Sequence, residues 1–149
     1  MKILVGLFAA LALASCVSTP QSYDFDNSRI INKGYDETWA SISRFFTSRS
    51  IQIKTIEKDS GLIYAERIVQ DGQSTKDEFM ECPSTFMMTV KSRMLQMNIF
   101  ARPVSGGTEV TVNTNMTITL CNSYACVSDA CNSTGRLETL LLDSVSTGG

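Results

Sequence analysis

The sequence contains no histidine. That removes Ser–His and Cys–His nucleophile pairs, a histidine general base and every zinc site that draws on imidazole, so the chain is not expected to be an enzyme. Nor is there an excess of positive charge. The 13 Lys and Arg residues stand against 15 Asp and Glu with both signs dispersed, which leaves no electrostatic footprint for nucleic acid. Tryptophan occurs once, at Trp39, and there are only three prolines. No apolar run approaches the roughly 20 residues that a membrane-spanning helix requires. Paired Cys-x-x-Cys knuckles and an Asp-x-Asp-x-Asp-Gly calcium loop are both missing, as are internal repeats and low-complexity tracts.

What is present begins at the front. One positive charge at Lys2 precedes a nearly unbroken apolar run from Ile3 to Leu13, and the chain then reads Leu13-Ala14-Ser15-Cys16. A basic start, an apolar stretch too short to span a bilayer and a small-residue end describe a secretory signal peptide. These residues resemble the lipobox of bacterial lipoprotein precursors, which runs Leu, a small residue, then Ala, Ser or Gly, then Cys. The resemblance implies that the Cys16 thiol receives a diacylglycerol carrying palmitate-type chains, that a peptidase cuts between Ser15 and Cys16, and that the new amino group is acylated too. Each acyl CH₂ buried in a membrane contributes about 0.8 kcal/mol, and two or more chains hold firmly where one holds only marginally, so Cys16 would anchor the protein without a helical span. Val17 stands where the family places an Asp to retain its products at the inner membrane. The resemblance therefore implies an outer-membrane lipoprotein, expected to face the periplasm. On this reading residues 1–15 are the signal peptide, an N-terminal signal helix. Residues 16–22 are a lipidated tether of polar, turn-rich composition, and residues 23–149 form one domain with one core.

Four more cysteines follow: Cys82, Cys121, Cys126 and Cys131. An even number in an oxidising compartment is the signature of two disulfides, and four thiols allow three pairings. Cys121 and Cys126 flank a short polar loop that can close on itself, which leaves Cys82 for Cys131. That second link closes the longer loop and so restricts the unfolded chain more. No metal and no cofactor is expected, because the cysteine spacings are too wide for a four-thiolate site.

Periodicity marks out the elements. Tyr23, Phe25, Ile30 and Ile31 suggest a first strand. Tyr35, Trp39, Ile42 and Phe46 then fall on one face of an α-helix, with Asp36 and Glu37 in its first turn and Arg44 and Arg49 in its last. Residues 51–57 and 62–68 read as a hairpin around Lys58-Asp59-Ser60-Gly61. Residues 69–78 read as an exposed polar loop, and residues 79–90, interrupted by Pro83, as a broken or edge strand. The strongest pattern follows. Leu95, Met97, Ile99 and Ala101, then Val110, Val112, Met116, Ile118 and Leu120, alternate with polar residues on either side of Ser105-Gly106-Gly107. This predicts two long antiparallel strands with one core face and one wet face. Leu137, Leu140, Leu141 and Val145 define a second amphipathic helix, with Arg136, Glu138 and Asp143 on its polar side.

The expected fold class is α+β: a two-layer sandwich of an antiparallel β-sheet with two helices on one face, in the order β-α-β-β-β-β-β-α. Trp39 and Phe46 in the first helix, Lys58 to Ile63, Gly107 to Val112 and Ser133 to Glu138 resemble the corresponding positions of BamC-like envelope lipoprotein domains. Those domains have a helix-grip arrangement, and the likeness spans residues 23–145. The segment from Cys121 to Cys131 departs from it. The resemblance implies an accessory or scaffold role in an outer-membrane assembly, with an envelope protein partner reached through the sheet face or the exposed loop. The alternative is a carrier that holds a small apolar ligand between helix and sheet, which calls for a deep cavity lined by Trp39, Phe46 and core methionines.

Other residue groups have plainer readings. Met80, Met87, Met88, Met94 and Met97 read as core filling rather than copper ligands. Asp77, Glu78 and Glu81 read as a solvated acidic loop. Asn113, Asn115, Thr117 and Thr119 are the wet side of the sheet or a polar surface for a partner or a saccharide.

Overall fold

The fold is built on one long hairpin. In the computed structural model, which describes residues 21–70, 78–83 and 87–148, strands β5 (Thr89–Val104) and β6 (Gly107–Cys121) pair antiparallel from Thr89 opposite Cys121 to Val104 opposite Gly107. The alternation in the sequence is the alternation of faces: Leu95, Met97, Ile99 and Ala101 on β5 and Val110, Val112, Met116, Ile118 and Leu120 on β6 are all buried. Gly107 follows the turn at φ 144°, and a Cβ there would lie 2.0 Å from the Ile31 carbonyl oxygen, so only glycine lets the neighbouring strand approach.

That neighbour is β1 (Ser28–Ile31), shorter than the sequence suggests, because Tyr23 and Phe25 lie before it in an unpaired stretch. On the other side β3 (Leu62–Gln70) pairs with β5, and β2 (Gln52–Glu57) pairs with β3 through the expected turn at Gly61. The outer edge of β6 is shared: β1 covers residues 108–111, and β7 (Cys126–Ser133) covers residues 116–121. β4 (Met80–Glu81), the expected edge strand ahead of Pro83, pairs with the end of β7. The result is a seven-stranded sheet, order β2-β3-β5-β6-β7-β4 with β1 beside β7 on β6.

Both helices, α1 (Tyr35–Ser48) and α2 (Arg136–Thr147), pack on one face of this sheet and on each other. The architecture is the expected α+β two-layer sandwich, with β7 added to the expected strands between the helices. Trp39, Ile42, Phe45 and Phe46 of α1 and Leu137, Leu141, Leu142 and Val145 of α2 bury against the sheet residues in a single core. Each such side chain, fully buried, contributes about 1.5–3 kcal/mol relative to exposure.

Two helix details differ from expectation. α1 ends at Ser48, so its last turn has no basic residue; Arg49 is the C-cap and lies over the Phe45 ring, 4.3 Å from its centroid. Glu138 is buried rather than solvated. Its carboxylate accepts hydrogen bonds from Thr114 Oγ1 and from Ser133 Oγ (2.7 and 2.9 Å), in the gap that β1 and β7 leave along β6. α2 is thereby pinned to the sheet edge by its own first turn.

Two disulfides join Cys82 to Cys131, 49 residues apart, and Cys121 to Cys126, five apart. The first ties the β4 segment to β7, and the second joins directly opposed residues of the β6–β7 ladder. Among the described residues no helix is long and apolar enough to cross a membrane. Ser15, Cys16, the signal peptide, most of the tether and residues 71–77 of the polar loop lie outside the described residues.

Candidate functional surfaces

Among the described residues no element packs on the face of the sheet turned away from the helices, and strand alternation decides what it carries. Odd positions of β6, even positions of β5 from Ser92 onward and even positions of β3 point there, which brings Asn113, Asn115, Thr117 and Thr119 into a row with Gln96, Asn98 and Tyr64 beside them. Asn115 Nδ2 donates to Gln96 Oε1 (3.0 Å), Gln96 Nε2 to Tyr64 Oη (2.8 Å), and Tyr64 Oη to Glu66 Oε2 (3.2 Å), while Lys54 Nζ pairs with Glu66 Oε1 at 2.9 Å. One hydrogen-bonded chain thus crosses four strands. Lys54, followed by the Tyr64 hydroxyl, holds the Glu66 carboxyl below its usual range, with burial opposing the shift. Along the same face Asn27 Nδ2 donates to Asn113 Oδ1 at 2.9 Å, and Thr119 shares a 3.0 Å hydrogen bond with Ser128. A shallow cleft of about 430 Å³ lies between Ile68, Met94, Thr117, Thr119 and Ser128.

The sheet also has a bare end. Beyond Cys121 the chain turns through Asn122, Ser123, Tyr124 and Ala125 before Cys126 starts β7, and Tyr124 is 96% exposed. Thr89 pairs with Cys121, so Met87, 80% exposed, emerges at this same end.

Of the acidic candidates, the two described ones have different partners. Asp77 lies outside the described residues, Glu78 pairs with Arg136 at 3.4 Å, and Glu81 accepts from the Tyr23 hydroxyl at 2.6 Å, a hydrogen bond that pushes the Tyr23 phenol up from its ordinary value. The methionines divide as well. Met80 and Met97 are buried and Met88 packs against the core, but Met94 lines the outer cleft and Met87 faces solvent, which corrects the core-filling assignment for those two. Among the described residues no group of His, Cys, Asp and Glu is arranged to hold a metal ion. Trp39 and Phe46 are packed in the core at 8% and 0% exposure, and four clefts formed by the described residues, of about 300 to 670 Å³, are lined by neither.

Sequence reasoning did not find Glu138, Tyr124 or Arg93. Arg93 holds a core-facing position on β5 at 6% exposure, and its Nε and Nη2 have no hydrogen-bond partner among the described residues. No family model matches the chain, and no curated protein matches it.

Proposed function

We propose that this protein is a lipid-anchored envelope lipoprotein without catalytic activity. It is held at the outer membrane through Cys16 and serves, on the periplasmic side, as an accessory or scaffold of a membrane assembly. The observation that carries the reading is Leu13-Ala14-Ser15-Cys16 behind Lys2 and a short apolar run. Two disulfides in one modest domain agree with an oxidising compartment. A broad sheet face carrying amides and hydroxyls supplies a surface on which a partner can dock. The filled space between helices and sheet favours this role over a carrier of small apolar ligands, whose cargo would have to displace Trp39, Phe46 or Met97. Fractionation of cells expressing the full chain tests the anchor. The native protein should sediment with membranes, and Cys16→Ser should leave it uncleaved or release it to the soluble fraction; equal, peripheral distribution of both forms would refute the reading.

A further inference from the structure

The two disulfides belong to opposite faces of the sheet. Cys131 lies opposite buried Met116, and it and Cys82 are each 9% exposed within the core cluster. Cys121 and Cys126 fall instead in step with Thr119 and Ser128, whose hydroxyls share a hydrogen bond on the outer face, and there Cys121 is half-buried and Cys126 exposed. Among the described residues no element packs over that face. The loop that the bond closes, residues 122–125, carries no charged side chain, so no carboxylate within it repels an approaching thiolate. Nor does the turn depend on the bond. Asn122 N donates to the Ala125 carbonyl at 2.9 Å, and Asn122 Oδ1 accepts from the backbone N–H groups of Tyr124 and Ala125, both at 2.9 Å. On the other side Thr89 Oγ1 donates to the Cys121 carbonyl at 3.1 Å, and the ladder continues with Leu120 opposite Val127. Hydrogen bonds thus keep the two cysteines opposed whether or not they are joined.

We propose that Cys121–Cys126 is a redox-modification site, a disulfide that an external dithiol opens and that re-forms in place, while Cys82–Cys131 stays closed. Exchange needs a thiolate to reach a disulfide sulfur, so access decides which bond reacts in the folded chain. A thiolate of the dithiol attacks the sulfur of Cys126, the more exposed residue of the pair, forming a mixed disulfide and expelling Cys121 as a thiolate that takes a proton from water. The second thiol of the dithiol then attacks its own sulfur in the mixed disulfide, releasing Cys126 and leaving the dithiol oxidised to a disulfide. Two electrons and two protons have passed to the protein. The product has two surface thiols in register on an intact turn, ready for the reverse reaction. Opening Cys82–Cys131 would instead remove the covalent tie between the β4 segment and β7. This role does not require lipid on Cys16, so it stands or falls apart from the anchor.

The test exposes the folded full chain to dithiothreitol, quenches samples in acid at intervals, alkylates free thiols and maps them by peptide mass spectrometry. Cys121 and Cys126 should become alkylated about tenfold or more faster than Cys82 and Cys131, with the near-ultraviolet circular dichroism retained, and oxidised glutathione should restore the bond. One rate for both bonds, earlier opening of Cys82–Cys131, opening only in urea, or loss of the native spectrum as Cys121–Cys126 opens would overturn the proposal. The same acid quench applied to the protein's own cells asks whether the site is used. A population alkylated at Cys121 and Cys126 with Cys82–Cys131 intact is expected, and a chain oxidised at both bonds in aerated and in oxygen-limited cells would defeat the role.

Discussion

Gly107 and Gly61 show how much of this fold rests on backbone approach. At Gly61, φ 71°, a Cβ would meet the Ala101 carbonyl oxygen at 2.0 Å, and at Gly107 it would meet that of Ile31 at the same distance. Gly107→Ala is expected to lower unfolding free energy in urea by about 2–3 kcal/mol, since a strand must move away. Arg93 predicts the opposite sign. Replacing a buried guanidinium, two of whose nitrogens have no hydrogen-bond partner among the described residues, by methionine keeps the stem and removes the desolvated polar head, so Arg93→Met should raise stability by about 1–3 kcal/mol in the same assay. Glu66 predicts a pH dependence. Because Lys54 lowers its folded pKa, the stabilisation is complete above the ordinary carboxylate range and disappears as pH falls through the lower folded value. Lys54→Met should therefore flatten the acid limb of stability against pH. At this scale the sequence was legible where one helical face decides the outcome, as for Trp39 and Phe46. It was not legible at Glu138, whose burial depends on hydroxyls that arrive from β6 and from the end of β7.

The elements differ in how openly their residues declare them. β5 and β6 alternate strictly and α1 repeats its apolar positions every three or four residues, so each was readable from local pattern alone. β7 was not: its residues 126–130 are exposed, and Cys-Val-Ser-Asp-Ala has the composition of a loop. It is a strand because β6 offers residues 116–121 as an unfilled edge and the Cys82–Cys131 bond holds it there. The outer face was legible as a polar row, but the link from Asn115 through Gln96 to Tyr64 needed the register between strands. The two disulfides should differ in weight. Loop entropy assigns about 4 kcal/mol to the link across 49 residues and about 2 kcal/mol to the link across five, so Cys82→Ala/Cys131→Ala should lower the thermal midpoint clearly more than Cys121→Ala/Cys126→Ala.

Taken over the described residues, the molecule is a sheet with one face buried under two helices and the other carrying a polar, hydrogen-bonded row. Among the described residues Gln21 already touches the domain: its carbonyl accepts from Asn132 Nδ2 at 3.0 Å, so the chain is laid along β7 within the residues expected to be tether. On the proposed reading the lipid-bearing Cys16 precedes this contact by only a few residues of sequence. Intact-mass spectrometry of protein extracted from membranes addresses that arrangement most directly. A lipid-anchored protein should give a chain that begins at Cys16 and carries the added mass of a diacylglycerol and a further acyl group. A chain that still carries residues 1–15, or one that begins at Cys16 with a free thiol, would contradict the anchor.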